Sequence, residues 1–429
     1  MKQLSVIVIG AGNRGERYAL HMCEMPEKYK IVGVADPDPA RQRYFMEHYG
    51  VPAEGCYSSW EEILAQPKFA DIAVIATVDN MHYEPALRAI DKGYDLLLEK
   101  PVAPNAQECA DIAKAARDKG VTVLVCHVLR YTPFYGKVKE LLLSGAVGEV
   151  TSVDLVEGVG NVHFSHSFVR GNWHNTSFSA PMLLAKCCHD LDIVQWLLDK
   201  PCQQVSSFGS LTHFTPENAP EGAPVRCSDN NCPVGETCPY NCIKHYHDFK
   251  TNVRRSIITK GIAKDHGEAT DAEVMEALRT TDYGLCVYHA HNNMVDHQVV
   301  SMEFAGGITA VLTMNAFNKG GRYIRIYGTK GELFAHMKDA EIQIYDFETK
   351  QTTFVPVLKT EESINGGHGG GDEGIIKEMY EYFCGTYTGY KAADIHTSVR
   401  NHMIGYAAEE ARLNHTVVDV QKYTESYGL

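Results

Sequence analysis

A glycine cluster, a carboxylate, a lysine and a histidine are the residues of this chain best suited to chemistry by type and spacing. Gly10-Ala11-Gly12-Asn13-Arg14-Gly15 follows the G-x-G-x-x-G pattern, placed where an apolar run ends and a helical stretch begins. There the first glycine permits a tight turn, the second lets the backbone approach a pyrophosphate, and the third lets helix and strand pack closely, while the helix start offers unpaired N–H groups to the anion. In isolation such a pattern is more often a glycine-rich turn with no ligand, and two further features shift the balance. Asp36 ends a second apolar run, where a carboxylate accepts hydrogen bonds from both ribose hydroxyls of an adenosine. Its charge repels a 2′-phosphate and favours NAD over NADP, although nearby Arg41 is a residue that contacts such phosphates. Glu99-Lys100-Pro101 follows the run Asp95 to Leu98, at the carboxyl edge where a doubly wound sheet binds its ligands. An ammonium there can hydrogen-bond a reacting hydroxyl or carbonyl, stabilise alkoxide charge and relay a proton. The plainer alternative is a strand-end lysine paired with Glu99.

A second group of reactive side chains is Cys227-x4-Cys232-x5-Cys238-x3-Cys242, set among Pro224, Pro233, Gly235 and Pro239. Zinc favours four tetrahedral sulfur or nitrogen ligands, so a structural zinc pinning a long insertion is one reading, with His245 and His247 as further candidates. The spacing is not the paired C-x2-C arrangement, and free cysteines in a loop are the other reading. A catalytic zinc fits less well, because four thiolates leave no open coordination position.

The elements that position these residues follow from hydrophobic pattern. Apolar runs Leu4 to Ile9, Ile31 to Ala35, Ile72 to Ala76, Asp95 to Leu98 and Val121 to Cys126 alternate with amphipathic segments Arg14 to Met25, Pro39 to Tyr49, Tyr83 to Lys92 and Ala106 to Lys119. That alternation predicts an α/β fold beginning with a doubly wound parallel sheet. With 429 residues the chain is too long for one ordinary core, so two domains are expected. Composition is that of a soluble globular protein, and no apolar run approaches the ~20 residues that cross a bilayer. The formal charge of −14 argues against nucleic acid and anionic lipid as partners. The opening Met1-Lys2-Gln3 runs straight into a short apolar stretch unlike a secretory signal, and the 13 cysteines are an odd number. A cytoplasmic location with reduced thiols is the expectation.

Several motifs together resemble the Gfo/Idh/MocA oxidoreductase family. They are Gly10 to Gly15, Glu99-Lys100-Pro101, His127-Val128-Leu129-Arg130-Tyr131 and Ser144 to Val150. Ser167 to Trp173, Lys186-Cys187-Cys188-His189-Asp190-Leu191-Asp192 and the Gly366 to Gly374 run resemble a sugar-directed branch of it. The resemblance implies a Rossmann domain over 1–130 and a substrate-binding and oligomerisation α+β domain over 131–429, with a large, mostly antiparallel sheet and a cysteine-containing insertion near 213–270. Gly148 to Glu157, Gln298 to Phe304, Gly307 to Met314, Tyr323 to Tyr327 and Ile342 to Phe347 read as its strands, Gly306-Gly307 as a hairpin turn and His396 to Asn414 as a closing helix.

Residue by residue, the resemblance puts Asn13, Arg14, Thr77, Asn80, His82, Glu99 and His127 around the dinucleotide beside the glycines and Asp36. It makes Lys100 and His189 the proton-handling pair. The family's aspartate, four residues before its histidine, is replaced here by Ala185. Lys186, Asp190 and Asp192 are the neighbours that could substitute for it or orient His189, and the sequence does not choose among them. Arg130, Tyr131, Arg170, Asn172, Trp173, Lys186 and Asp192 offer the donors, acceptors and aromatic face that a hydroxylated ring needs. The expected activity is hydride transfer between NAD and a hydroxyl or keto group of a sugar, polyol or related carbohydrate. An NAD-dependent glycosidase or lyase working through transient oxidation, and a non-catalytic dinucleotide sensor, are the competing readings. A homo-oligomer is a further expectation from the family.

Overall fold

Each apolar run near the N-terminus buries both of its faces only if helices cover it on either side, and a six-stranded parallel sheet meets that requirement. The computed structural model of the chain describes residues 2–229, 231–248, 270–339, 341–358 and 367–429. Strands β1 (Leu4–Ile9), β2 (Tyr29–Ala35), β3 (Cys56–Tyr57), β4 (Ile72–Ile75), β5 (Asp95–Leu98) and β6 (Val123–Val125) lie in the order β3-β2-β1-β4-β5-β6. Strand order reverses between β1 and β4, so the crevice beyond their carboxyl ends is the topological switch point. The crossover helices are α1 (Asn13–Cys23), α2 (Pro39–Tyr49), α3 (Trp60–Ala65), α4 (Tyr83–Asp91) and α5 (Ala106–Lys119). Local chemistry sets their ends. Asp38 caps α2 by accepting from Ala40 N, Asn105 caps α5 by accepting from Glu108 N, and left-handed Gly50 and Gly120 stop the same two helices.

Helix α6 (Pro133–Leu143) leads into a nine-stranded mixed sheet. Its strands are β7 (Val150–Gly158), β8 (Cys202–Ser210), β9 (His297–Phe304), β10 (Ile308–Asn315), β11 (Gly321–Gly328), β12 (Gly331–His336), β13 (Glu341–Asp346), β14 (Thr352–Pro356) and β15 (Val417–Asp419), ordered β14-β13-β12-β11-β7-β10-β9-β8-β15. Among the described pairings only β7 with β10 is parallel. On β9 buried and exposed side chains alternate, as a strand with one covered face requires. Gly306 and Gly307, both left-handed, turn β9 into β10 and set the register Phe304↔Ile308. Helix α7 (Met182–Ala185) packs on α8 (Cys188–Leu198), which lies against β7 and β10.

Between β8 and β9 the chain makes a long excursion that carries the cysteine cluster and α9 (Asp271–Thr280); residues 249–269 of the expected insertion lie outside the described residues. This excursion has a small core of its own, from Cys242, Tyr246, Val274, Ala277, Leu278 and Tyr283. The end of the chain then returns to the first sheet. Helix α10 (Gly367–Phe383) packs on α1 and on the 3₁₀ turn Val128–Tyr131, and Val125 N donates to Ala393 O at 2.9 Å. Helix α11 (Ile395–Asn414) rests on α5, α8 and β8, and α12 (Val420–Ser426) closes the fold. No helix among the described residues is long and apolar enough to cross a membrane.

Candidate active site

The glycine loop between β1 and α1 is built to let another group approach its backbone. Gly10 has φ +93°, and a Cβ there would sit 2.6 Å from Ala76 O; at Gly15 a Cβ would sit 2.0 Å from Gly10 O. Only glycine fits either position. Gly12 precedes the first residue of α1 and no side chain caps that end, so the N-terminal amides of the helix are available to an anion. Asp36, buried at the end of β2, accepts from Ala11 N at 2.8 Å and Asp38 N at 3.0 Å, which ties the second strand to the loop. Arg41 Nη1 lies 3.3 Å from the same carboxylate. Cradle, helix start and strand-end acid therefore fit a dinucleotide.

Beside this loop lies a buried ionic cluster. Glu99 Oε1 accepts from Arg14 Nε and from Tyr18 OH, both at 2.6 Å, and Glu99 Oε2 accepts from Lys100 N at 2.9 Å. Burial pushes the Glu99 carboxyl up, but the charges of Arg14 and Lys100 and these hydrogen bonds outweigh it and hold the group below its ordinary range. Arg14 also grips Asp372 of α10 through Nη1 at 2.8 Å and Nη2 at 2.7 Å, and Asp372 stays ionised despite its burial because Arg14 and His368 face it. The guanidinium of Arg14 is thus committed to carboxylates. Neither Asp372 nor His368 was singled out by sequence, although both lie in the glycine run that carried the resemblance.

Lys100 reaches across the cleft and donates from Nζ to Ala185 O at 3.0 Å. It meets the backbone of the very position where the family's aspartate is absent. His189 lies one turn further on, 5% exposed, with no partner for Nδ1. Burial, then the charges of Lys100 and Arg322, hold its imidazole well below its ordinary pKa, so it is neutral near pH 7. The rings of His127 and His368 stand 6.3 Å and 6.1 Å from it. Below it Arg322 of β11, not anticipated from sequence, binds Asp190 at 2.9 Å and Glu157 at 2.8 Å, and Lys186 lies 3.5 Å from Glu157. Burial pushes the Asp190 carboxyl up to about 6 even against Arg322. Of the three neighbours left open by sequence, Lys186 and Asp190 therefore enter one network with Glu157 and Arg322. Asp192 belongs to another.

That second network holds Arg130 and Asp192 together through Nε–Oδ2 at 2.7 Å and Nη2–Oδ1 at 2.6 Å, with Asn401 donating to the same carboxylate. His127 Nδ1 lies 3.7 Å from Asp192. Arg130 and Asp192 direct their polar groups at each other, and Tyr131 is buried beneath α10. Trp173 is half-buried and donates from Nε1 to Asp79 at 3.1 Å, linking the second domain to the loop after β4; Asn172 beside it is exposed. In that loop Thr77 and exposed Asn80 lie at the crevice, Thr77 Oγ1 donating to Met81 O at 2.9 Å. Buried His82 sits with Nδ1 2.7 Å from Pro101 O and Nε2 3.1 Å from Thr77 O, so it braces the loop against the Glu-Lys-Pro turn. Arg170 lies elsewhere, donating to Leu285 O and Tyr240 O in the cysteine-bearing excursion. Among the described residues, no three His, Cys, Asp or Glu side chains converge closely enough to hold a metal ion as they stand.

A doubly wound dinucleotide domain facing a mixed sheet across a cleft lined with ionisable groups defines a dinucleotide-binding oxidoreductase. Residues 4–127 match "Oxidoreductase family, NAD-binding Rossmann fold" and residues 139–420 match "Oxidoreductase family, C-terminal alpha/beta domain"; the chain belongs to the Gfo/Idh/MocA oxidoreductase family. It is 28% identical over 387 residues to a Bacillus subtilis protein named "Putative oxidoreductase YteT", covering 85% of this chain and 83% of that one. It is also 28% identical over 161 residues to the levoglucosan dehydrogenase of Pseudarthrobacter phenanthrenivorans, covering 35% of this chain and 40% of that protein. The match spans about half the length of three further curated relatives. In fold the chain is similar to a solved levoglucosan dehydrogenase in complex with NADH and levoglucosan, with TM-score 0.70 and 16% identity over 98% of this chain and 100% of that one.

Proposed function

We propose that this oxidoreductase converts a ring hydroxyl of a sugar or related polyol to the ketone, or the reverse, with NAD preferred over NADP. When bound, NAD supplies the hydride acceptor. The single observation that carries the reading is the bond from Lys100 Nζ to Ala185 O, which brings the lysine to the turn leading into His189, close enough for its charge to act on that imidazole. A substrate oxygen placed between them faces an ammonium that stabilises alkoxide charge and a neutral imidazole ready to accept the proton. The backbone carbonyl of Ala185 orients the lysine where family members carry a carboxylate side chain. The relative named for levoglucosan supports a polyhydroxylated ring as the substrate class.

Asp36, buried at the end of β2, supports the NAD preference, since a carboxylate there repels a 2′-phosphate. We also assign to the insertion's cysteines a structural metal of the zinc class, to the chain a cytoplasmic location in keeping with its unpaired thiols, and to the outer face of the nine-stranded sheet, where Phe208 and Val299 are exposed opposite each other, a homo-oligomer contact. The test is to incubate the protein with a panel of sugars and glycosides while following NADH absorbance and free aglycone, with NAD and NADP in parallel. Net NADH with a sugar substrate is the expected result. Release of aglycone without net NADH would replace the dehydrogenase by a redox-neutral elimination, and no response with any sugar would remove carbohydrate as the substrate class.

A further inference from the structure

Four cysteines from two separated stretches of chain wall one narrow cavity. Cys227, Cys232 and Cys238 come from the excursion after β8, and Cys286 comes from beyond α9. The cavity has a volume of about 20 Å³, room for one water-sized or ion-sized occupant. Backbone pairing brings the two stretches together: Arg226 and Leu285 form an antiparallel bridge, and Cys286 N donates to Val225 O at 2.9 Å. Cys227 and Cys286 each stand one residue beyond that bridge. Cys232 and Cys238 flank a tight turn in which Gly235 N donates to Cys232 O at 3.0 Å and Cys238 N to Val234 O at 2.9 Å. Cys242 N donates to Cys227 Sγ at 3.3 Å, the kind of amide contact that supports a thiolate ligand. The Cys242 side chain touches the Cys227 thiol from behind, packed in the small apolar core with Tyr246 and Val274, and is absent from the cavity wall.

An independent observation points to a negatively charged occupant. Arg170 lines the same cavity and is buried; its guanidinium meets Leu285 O, Tyr240 O and the Tyr246 hydroxyl, all neutral, and among the described residues no carboxylate is paired with it. A buried cation with no counter-charge is costly. A divalent ion held by four thiolates carries net negative charge and supplies what Arg170 lacks.

We propose that Cys227, Cys232, Cys238 and Cys286 bind one divalent ion of the zinc class in a closed structural site, with Arg170 as its counter-charge and Cys242 outside the ligand set. This rests on the reading that the excursion's cysteines hold a metal, and adds which thiols do so and what the ion fastens. It requires the four side chains, which wall the cavity without converging, to turn inward to Zn–S distances of about 2.3 Å. The ion then clamps the excursion to Arg170, three residues from Trp173, and so steadies the cleft wall that Trp173 forms with Asp79.

The test uses the full-length protein purified without chelator. Plasma mass spectrometry is expected to find about one zinc per chain, and exchange with cobalt(II) to give the charge-transfer and tetrahedral d–d bands of four thiolates. Cys286→Ser should lower bound zinc about tenfold or more while Cys242→Ser retains it, with NAD binding by calorimetry showing that the first domain is folded in both. Loss of metal from Cys242→Ser with retention in Cys286→Ser would overturn this ligand set and leave a metal-holding insertion standing. A protein that contains no zinc and takes up neither added zinc nor cobalt would overturn both. Should Cys286→Ser fail to fold, the cobalt spectrum of the unaltered chain decides, since bands of fewer than four thiolates, or an iron–sulfur absorbance, contradict the proposal.

Discussion

Lys100 is the side chain to which the proposed chemistry assigns the largest part, and a backbone carbonyl sets its position. Because Ala185 O holds the ammonium at 3.0 Å, the lysine is oriented without a carboxylate neutralising its charge. Lys100→Ala is expected to lower kcat about 100- to 10,000-fold, the ordinary contribution of a positioned proton-handling group, while NAD affinity measured by calorimetry changes by less than about threefold. An alanine variant that turns over at the parent rate would take Lys100 out of the chemistry. The residues of this scale that sequence made legible are those whose role is local. Gly10, Asp36 and Lys100 each follow the end of a strand and Gly15 lies in the first turn of α1, where the motif itself states the geometry. Arg322, Glu157, Asp372 and Cys286 reach their partners only after long stretches of chain fold back, and nothing in their immediate neighbours announces the contact. Arg170 shows the converse, a motif residue whose guanidinium points to Leu285 O and Tyr240 O rather than to the cleft.

At the level of elements, α10 does more than cover the parallel sheet. It begins with left-handed backbone at His368, Gly369 and Gly370, then lays Gly371 and Gly374 directly on the turn Val128–Tyr131. A Cβ at Gly371 would stand 2.3 Å from Val128 O. Gly371→Ala should therefore push the helix off that turn, cost about 1–3 kcal/mol in urea unfolding and weaken NAD binding, because Asp372 is the next residue and holds Arg14. Unchanged stability would contradict the close seating of Gly371 on Val128 O. Hydrophobic pattern gave α2, α5, β1 and β5 their full extents, since the two helices have clear caps and the two strands are nearly continuous buried runs. It passed over β8, β12 and β14. In β8 the sequence Cys-Gln-Gln-Val-Ser-Ser-Phe-Gly-Ser places polar residues on much of the strand, and only pairing with β9 makes it extended.

For the molecule as a whole, buried neutral histidines set the response to acid. Burial holds His127, His189 and His402 below their ordinary pKa, His402 at about 3, with the charges of Lys100 and its neighbours adding to the effect. In the unfolded chain these groups titrate near 6.5, so below that pH the unfolded state binds more protons than the folded one. Their contribution is complete above about pH 6.5 and is lost as pH falls toward 3, by about 1.4 kcal/mol per pH unit for each such histidine. Asp190, raised to about 6, works in the opposite direction between about pH 4 and 6 and offsets part of one histidine. The urea midpoint is therefore expected to hold steady from pH 8 to about 6.5 and then fall, and a midpoint that stays level to pH 5 would contradict the burial of these rings. The bond from Arg14 to Asp372 has a consequence of another kind. A ribosome releases the dinucleotide loop hundreds of residues before it releases the acid that locks it, so each nascent chain carries a half-braced pocket until Asp372 has emerged. The first domain's own glycine loop is thus braced by an acid that the first domain does not contain.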